Sequence, residues 1–198
     1  MQEVHHRVKN NFEIISSLLD MSNMQVENRE IQNLCGDAHA RIHSMALIHD
    51  QLYQSDCFDK INMEVHIRNM LDYLSHTYTG NEKKITSIVE PSEVYLSVNQ
   101  AIPCSLLLNE LIANTFKHAF NNKRKGTVRV SLNKSTEDTV RISVRDDGDG
   151  IPKGSDLNNS KGLGLKLVRH LVEGQLNGEM SFSHENGTDI HIEFKKLK

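Results

Sequence analysis

The chain has only three cysteines in 198 residues, Cys35, Cys57 and Cys104, widely spaced and odd in number. They suit neither a disulfide framework nor a closed zinc site, so the expected setting is a reducing one, that of the cytoplasm. No apolar run approaches the ~18 residues of a membrane span, and no signal peptide precedes the first helix. Strong charge of one sign is also missing. The net charge is −3, which argues against a sequence-independent nucleic-acid binder, since that needs a basic face. With 25% charged and 37% hydrophobic residues, the composition is that of a folded globular chain, long enough for one ordinary domain or two small ones. It opens two residues before a helix already in stride, which reads as a piece of a longer protein; a membrane link would then come only through a segment not included here.

Residues 2–25 form the first expected helix, free of Gly and Pro. Val4, Val8, Phe12, Ile15, Leu18 and Leu19 gather on one arc of a helical wheel. His5 lies at the edge of that arc and His6 close to opposite it, so His6 is expected to face solvent. Residues 23–28 make a polar break. A second helix, 29–54, carries a heptad-like seam through Ile31, Cys35, Ala38, Ile42, Met45, His49 and Leu52. Both stripes are wider than one partner helix requires. The expected solution is a homodimeric four-helix bundle, and the rival is a hairpin resting on the domain that follows. His39, His43 and His49 lack matching acids for a metal site and are read as surface or seam residues.

After a polar linker at 55–61 the pattern changes. A helix is expected over 63–79 with Asn62 as its N-cap and Gly80 as its stop. Short strands follow at 84–89 and 94–97 around Pro91. A helix over 100–120 takes Pro103 in its first turn. Strands at 127–133 and 139–146, a helix over 164–176, and a hairpin at 179–184 and 189–195 complete an α+β layer: one sheet covered by helices. The division expected is a helical hairpin, 1–60, and an α/β sandwich, 61–198.

Three segments of the second region carry chemistry. On the helix over 100–120, Glu110 and Asn114 are four apart and share a face, with Lys117 a turn later. A carboxylate, an amide oxygen and an ammonium suit a magnesium triphosphate, although a solvated polar face would look the same. Asp146-Asp147-Gly148-Asp149-Gly150 runs straight out of the strand Val140, Ile142, Val144. A carboxylate there could accept the exocyclic amine of adenine, with glycines allowing close approach; the calcium-loop alternative lacks its downstream Glu. Gly162-Leu163-Gly164 opens a helix whose free N–H groups suit phosphate, while the Walker Gly-Lys-Ser/Thr is absent. Gly187-Thr188 stands in the last hairpin.

These segments match, in order and spacing, the N, G1 and G2 boxes and terminal Gly-Thr of the ATP-binding domain of sensor histidine kinases. That is the Bergerat fold, also used by gyrase, Hsp90 and MutL. His5-His6-Arg7-Val8-Lys9-Asn10-Asn11 resembles the H box of the second HisKA subfamily, related to the His-Trp-Glu kinases. The resemblance implies ATP and Mg2+ as cofactors, an aspartate of a response-regulator receiver domain as partner, and homodimerisation. It implies His6 as phosphoacceptor with His5 as runner-up, Asn114 as magnesium ligand, and Glu110 as base or positioning acid. Lys117 and His118 would approach the phosphates, and Asp146, Gly148 and Gly150 would line the adenine pocket. Gly162, Leu163 and Gly164 would border the phosphates below a lid at 153–161, and Thr188 would complete the set. Arg7 stands where commoner histidine kinases carry an acid; it could steady the transferring group, and Asn10 could orient a water. The rival readings are an anti-sigma-type serine kinase on the same fold and a phosphotransfer scaffold with a dead nucleotide site.

Overall fold

The computed structural model describes residues 2–54, 60–79, 84–150, 162–183 and 187–197, and the side chains within them except those of residues 2–6 and 54. Helix α1, Gln2–Gln25, and helix α2, Arg29–Gln54, form the hairpin expected from the two apolar stripes. Val8, Phe12 and Leu19 are half-buried towards α2, and Phe12 meets the His49 ring edge-on at 6.1 Å. Ile14, Ile15, Leu18 and Met21 remain exposed, so α2 covers only part of the α1 stripe.

Strand β1, Lys60–Asn62, is followed at once by helix α3, Met63–Thr79. Asn62 Oδ1 accepts the Val65 N–H at 3.2 Å, the cap expected of it. The linker reading of 55–61 fails at its end, because Lys60–Asn62 pairs antiparallel with strand β3, Tyr95–Ser97. A strand of three residues has no pattern of its own; its partner more than thirty residues away defines it. Gly80 and residues 55–59 lie outside the described residues.

Strand β2, Lys84–Val89, precedes β3, and helix α4, Val98–Asn114, follows it. The helix starts two residues earlier than expected, placing Pro103 in its second turn. Its last part, Thr115–Ala119, widens into a π-turn that no propensity announces. Strand β4, Lys125–Thr136, and strand β5, Thr139–Asp146, form a hairpin. Helix α5, Leu163–Arg169, runs into a second π-turn at His170–Gln175, and strands β6, Glu179–Ser183, and β7, Thr188–Lys195, close the sheet.

The main sheet has the order β2-β4-β5-β7-β6, parallel only between β2 and β4. Alternation sends Val128, Val130 and Leu132 of β4, Val140, Ile142 and Val144 of β5, and Ile192 and Phe194 of β7 to one face. Helices α3 and α4 cover that face with Ile67, Met70, Leu71 and Leu74 and with Cys104, Leu107, Leu108, Leu111 and Ile112. Ala40, Ser44 and Ile48 of α2, spaced by four, are buried as well and bring the hairpin against α4. The architecture is thus the α+β arrangement expected, with α2 resting on the sandwich and α1 outermost.

Candidate nucleotide site

The period of β5 determines where Asp146 goes. Inward positions follow Val140, Ile142 and Val144, and the next is Asp146, only 3% exposed. An unpaired carboxylate there would be costly. Two backbone donors answer it: Gly148 N–H and Thr188 N–H reach Oδ1 at 2.9 and 3.2 Å. Thr188 arrives because the β5–β7 register sets it directly opposite Asp146. Burial still raises the Asp146 pKa above the ordinary carboxylate value, against these donors.

The glycines around Asp146 are there for lack of room. A Cβ on Gly148 would lie 2.2 Å from the Ala119 carbonyl oxygen, and one on Gly187, at φ +113, would lie 2.0 Å from the Asp146 carbonyl oxygen. Gly150 has φ +73 and faces the Gly187 carbonyl. Asp149 N–H donates to Ala119 O at 2.7 Å, while its carboxylate accepts from the Asn122 N–H and side-chain amide. Lys123 Nζ donates to the Gly148 carbonyl at 2.9 Å. The G1-type loop is therefore sewn to the end of the N-type helix. Asn122 and Lys123 were not anticipated, and Asp149 was read only as part of the Asp-rich run, because a polar loop residue carries no signal for which backbone it will hold.

The second cluster forms on α4. Glu110 is 6% exposed and Asn114 half-buried, one turn apart on the same face. Gly164 at the start of α5 packs on both: a Cβ there would stand 2.6 Å from Glu110 Oε2 and 3.7 Å from Asn114 Nδ2. Glu110, Asn114 and Gly164, distant in sequence, thus meet at one place, and Gly162 lies at the N-cap of α5 with Leu163 exposed beside it. The lid at 153–161 falls outside the described residues.

Lys117 and His118 behave differently from this cluster. Lys117 Nζ is ion-paired to Asp37 of α2 and sits 4.9 Å above the Tyr78 ring. His118 is exposed, and partial desolvation and then the Lys117 charge lower its pKa, with Asp37 opposing. Glu110 itself is held from α2: Arg41 Nε donates to Oε1 at 2.6 Å and Nη2 to Oε2 at 3.0 Å. Neither Asp37 nor Arg41 was anticipated.

Arg7 and Asn10 are exposed on α1, while the side chains of His5 and His6 lie outside the described residues. Phe12 is level with His49. From that level His6 lies six residues farther from the hairpin turn and Arg41 eight residues nearer to it, an axial separation of roughly 20 Å at about 1.5 Å per residue. The hairpin and the second cluster are in contact, but His6 is not brought to Glu110.

Comparison with known families decides the membership. A family model described as histidine kinase, of the second HisKA type, matches residues 3–78. One described as histidine kinase-, DNA gyrase B- and HSP90-like ATPase matches residues 99–198, half of the chain. This chain belongs to the sensor histidine kinases. The kinase is 30% identical over 193 residues to the sensor histidine kinase PdtaS of Mycobacterium tuberculosis, covering 96% of this chain and 38% of that relative. It is 26% identical over 198 residues to blue-light-activated histidine kinase 2 of Erythrobacter litoralis, covering 98% and 56%. The chain therefore spans well under two thirds of these relatives. Its fold matches the solved histidine kinase domain of an Erythrobacter litoralis blue-light activated kinase with a TM-score of 0.71 at 20% identity, over 93% of this chain and 94% of that one. The isolated catalytic domain of histidine kinase ThkA matches at 0.54 and 20% identity, over 69% and 95%. The family's ATPase domain is an ATP-binding one, and no helix among the described residues is long and apolar enough to cross a membrane.

Proposed function

We propose that this kinase binds Mg-ATP within 61–198, phosphorylates His6 in the hairpin 1–60, and passes the phosphoryl group to an aspartate of a response-regulator receiver domain. The observation that carries this reading is the convergence of Glu110, Asn114 and Gly164 on the helix whose end, at Ala119, also holds the loop of the buried, backbone-held Asp146. Asp146 accepts the exocyclic amine of adenine, and Gly148, Gly150 and Thr188 let the base approach. The phosphates lie towards Gly162, Leu163 and Gly164, with Lys117 and His118 as further donors.

The residues present fit a hard cation, since the Asn114 side-chain amide, whose oxygen is a hard donor, and the Glu110 carboxylate share one face beside Gly164. Asn114 would hold Mg2+, which neutralises charge on the phosphates. Glu110 orients the reacting group or accepts a proton from it. Catalysis is then mostly positioning. A bond forms between a ring nitrogen of His6 and the γ-phosphorus, and the bond from that phosphorus to the ADP oxygen breaks. Arg7, adjacent to His6, steadies the moving phosphoryl group. Asn10, one turn on, orients a water when a regulator is dephosphorylated.

The exposed apolar residues of α1 support a homodimer in which two hairpins form a four-helix bundle. The test is incubation with γ-labelled ATP and magnesium, comparing the natural chain with His6→Gln and His5→Gln. An acid-labile, base-stable label is expected in the natural chain and in His5→Gln, and none in His6→Gln. A label that survives His6→Gln and vanishes in His5→Gln would move the acceptor by one residue.

A further inference from the structure

The loop that follows β5 is anchored on both sides of Gly148 by residues between the π-turn of α4 and the start of β4. Asp147 is tied twice to Thr127: its carboxylate accepts the Thr127 N–H at 2.7 Å, and its own N–H reaches the Thr127 carbonyl at 3.3 Å. Asp149 is tied through its N–H to the Ala119 carbonyl at 2.7 Å and through its carboxylate to Asn122. Between these anchors lie two peptide units, 147–148 and 148–149, which meet at Gly148. A glycine sets no Cβ against rotation about its own bonds, so a peptide plane could turn over here while both anchors stay in place. The facing of the first plane matters. One edge of it is the Gly148 N–H that holds Asp146 Oδ1 at 2.9 Å, and the other is the Asp147 carbonyl.

Lys123 occupies that other edge. Its ammonium donates to the Asp147 carbonyl and, at 2.9 Å, to the Gly148 carbonyl. In a planar trans peptide the N–H and the C=O point in opposite directions. Holding the Asp147 carbonyl therefore aims the Gly148 N–H at Asp146, and holding the Gly148 carbonyl aims the Asp149 N–H at Ala119. Turned over, the first plane would set a carbonyl oxygen against a carboxylate only 3% exposed, leaving Thr188 to hold it. A cation on the carbonyl also polarises the peptide and strengthens its N–H as a donor.

We propose that Lys123 is a positioning residue for adenine: its ammonium locks the 147–148 peptide, and that peptide fixes the Asp146 carboxylate in the plane that accepts the exocyclic amine. This rests on the reading of Asp146 as the adenine acceptor. Lys123 acts one peptide plane away from the carboxylate and needs no contact with the base. Its loss should therefore be felt at the amine. The triphosphate end, at Glu110, Asn114 and Gly164, stays as it was.

The experiment uses the full chain with Mg2+ and measures, by calorimetry, binding of two non-hydrolysable triphosphates that differ in one group. One is an adenosine analogue, and the other its purine riboside counterpart, which lacks the exocyclic amine. The natural chain should prefer the adenosine form. Lys123→Met, which keeps the stem and removes the donor, should lose roughly fivefold in affinity for the adenosine form and less than about twofold for the purine form, as one weakened charged hydrogen bond would. Lys123→Arg should keep most of the preference, because a guanidinium can serve both carbonyls. Added to Asp146→Asn, Lys123→Met should cost nothing further, since both changes act on the same bond. Equal losses for both triphosphates would overturn the proposal and make Lys123 a brace for the loop alone. A preference fully kept in Lys123→Met would overturn it too, leaving an ordinary surface lysine. A natural chain with no preference for the amine would instead sink the reading of Asp146, and this proposal with it.

Discussion

Val140, Ile142 and Val144 fill successive inward positions of β5, and the next inward position holds a carboxylate instead of a fourth apolar residue. Asp146 therefore costs the empty protein stability. Its pKa is raised in the folded state, so the fold holds a proton there more readily than the unfolded chain, and the associated stability is lost as pH rises through the folded value. At neutral pH, Asp146→Asn should raise stability by ~0.5–2 kcal/mol, as relief at functional sites commonly does. The same change should abolish tight adenine-nucleotide binding. Thermal melts with and without nucleotide read both effects; a lower melting temperature for the empty variant would contradict the burial argument. Asp146 was legible in the sequence because a strand period leads straight into it. Arg41 was not. Asp37 and Arg41, four apart on a helix, look like an ordinary solvated intrahelical pair, and only the packing of α2 on α4 turns both outward to other partners.

Among the elements, the hairpin shows how far periodicity reaches. A wheel predicts that α1 has more apolar surface than α2 can cover, and Ile14, Leu18 and Met21 are 57%, 57% and 60% exposed. In the proposed dimer, placing Glu at Leu18 should weaken self-association at least tenfold, since a buried leucine contributes about 1.5–3 kcal/mol to an apolar interface. Sedimentation across a concentration series checks this, and an unchanged dimer would place the interface elsewhere. The seam assigned to α2 was incomplete. Ala40, Ser44 and Ile48 form a second, weakly apolar line that packs on α4, and an Ala-Ser-Ile line is too polar to stand out. The π-turn at Thr115–Ala119 was likewise illegible, because a widened turn reflects the contacts around it more than its own residues.

For the whole molecule, the junction between hairpin and sandwich is where acid should act. His66 of α3 is fully buried with Nε2 2.7 Å from Ser105 Oγ, and burial followed by the nearby His43 charge pushes its pKa down from 6.5 to about 4. His43, half-buried and stacked on Tyr73 with ring centroids 3.9 Å apart, is lowered too, by burial and then by His39. A depressed folded pKa means that the unfolded chain takes up protons first. Stability is thus complete above pH 6.5 and falls as the pH drops towards 4, by about 3 kcal/mol for His66 alone. Urea midpoints at pH 7.5 and 4.5 should show the loss, and His66→Gln should flatten it. A midpoint that stays level in the natural chain would mean that His66 reaches water before the chain unfolds.

Local pattern alone determined most elements of this kinase, the α+β class and the residue types of the nucleotide site, because strand alternation, helix periodicity and glycine spacing act over a few neighbouring positions. Tertiary structure alone decided that Glu110, Asn114 and Gly164 meet, that Thr188 N–H answers Asp146, and that α2 holds Glu110 and Lys117 through Arg41 and Asp37. Those contacts join residues 42 to 80 positions apart. Whether two such groups meet depends on sheet register and helix packing, which are settled by the burial of the core as a whole.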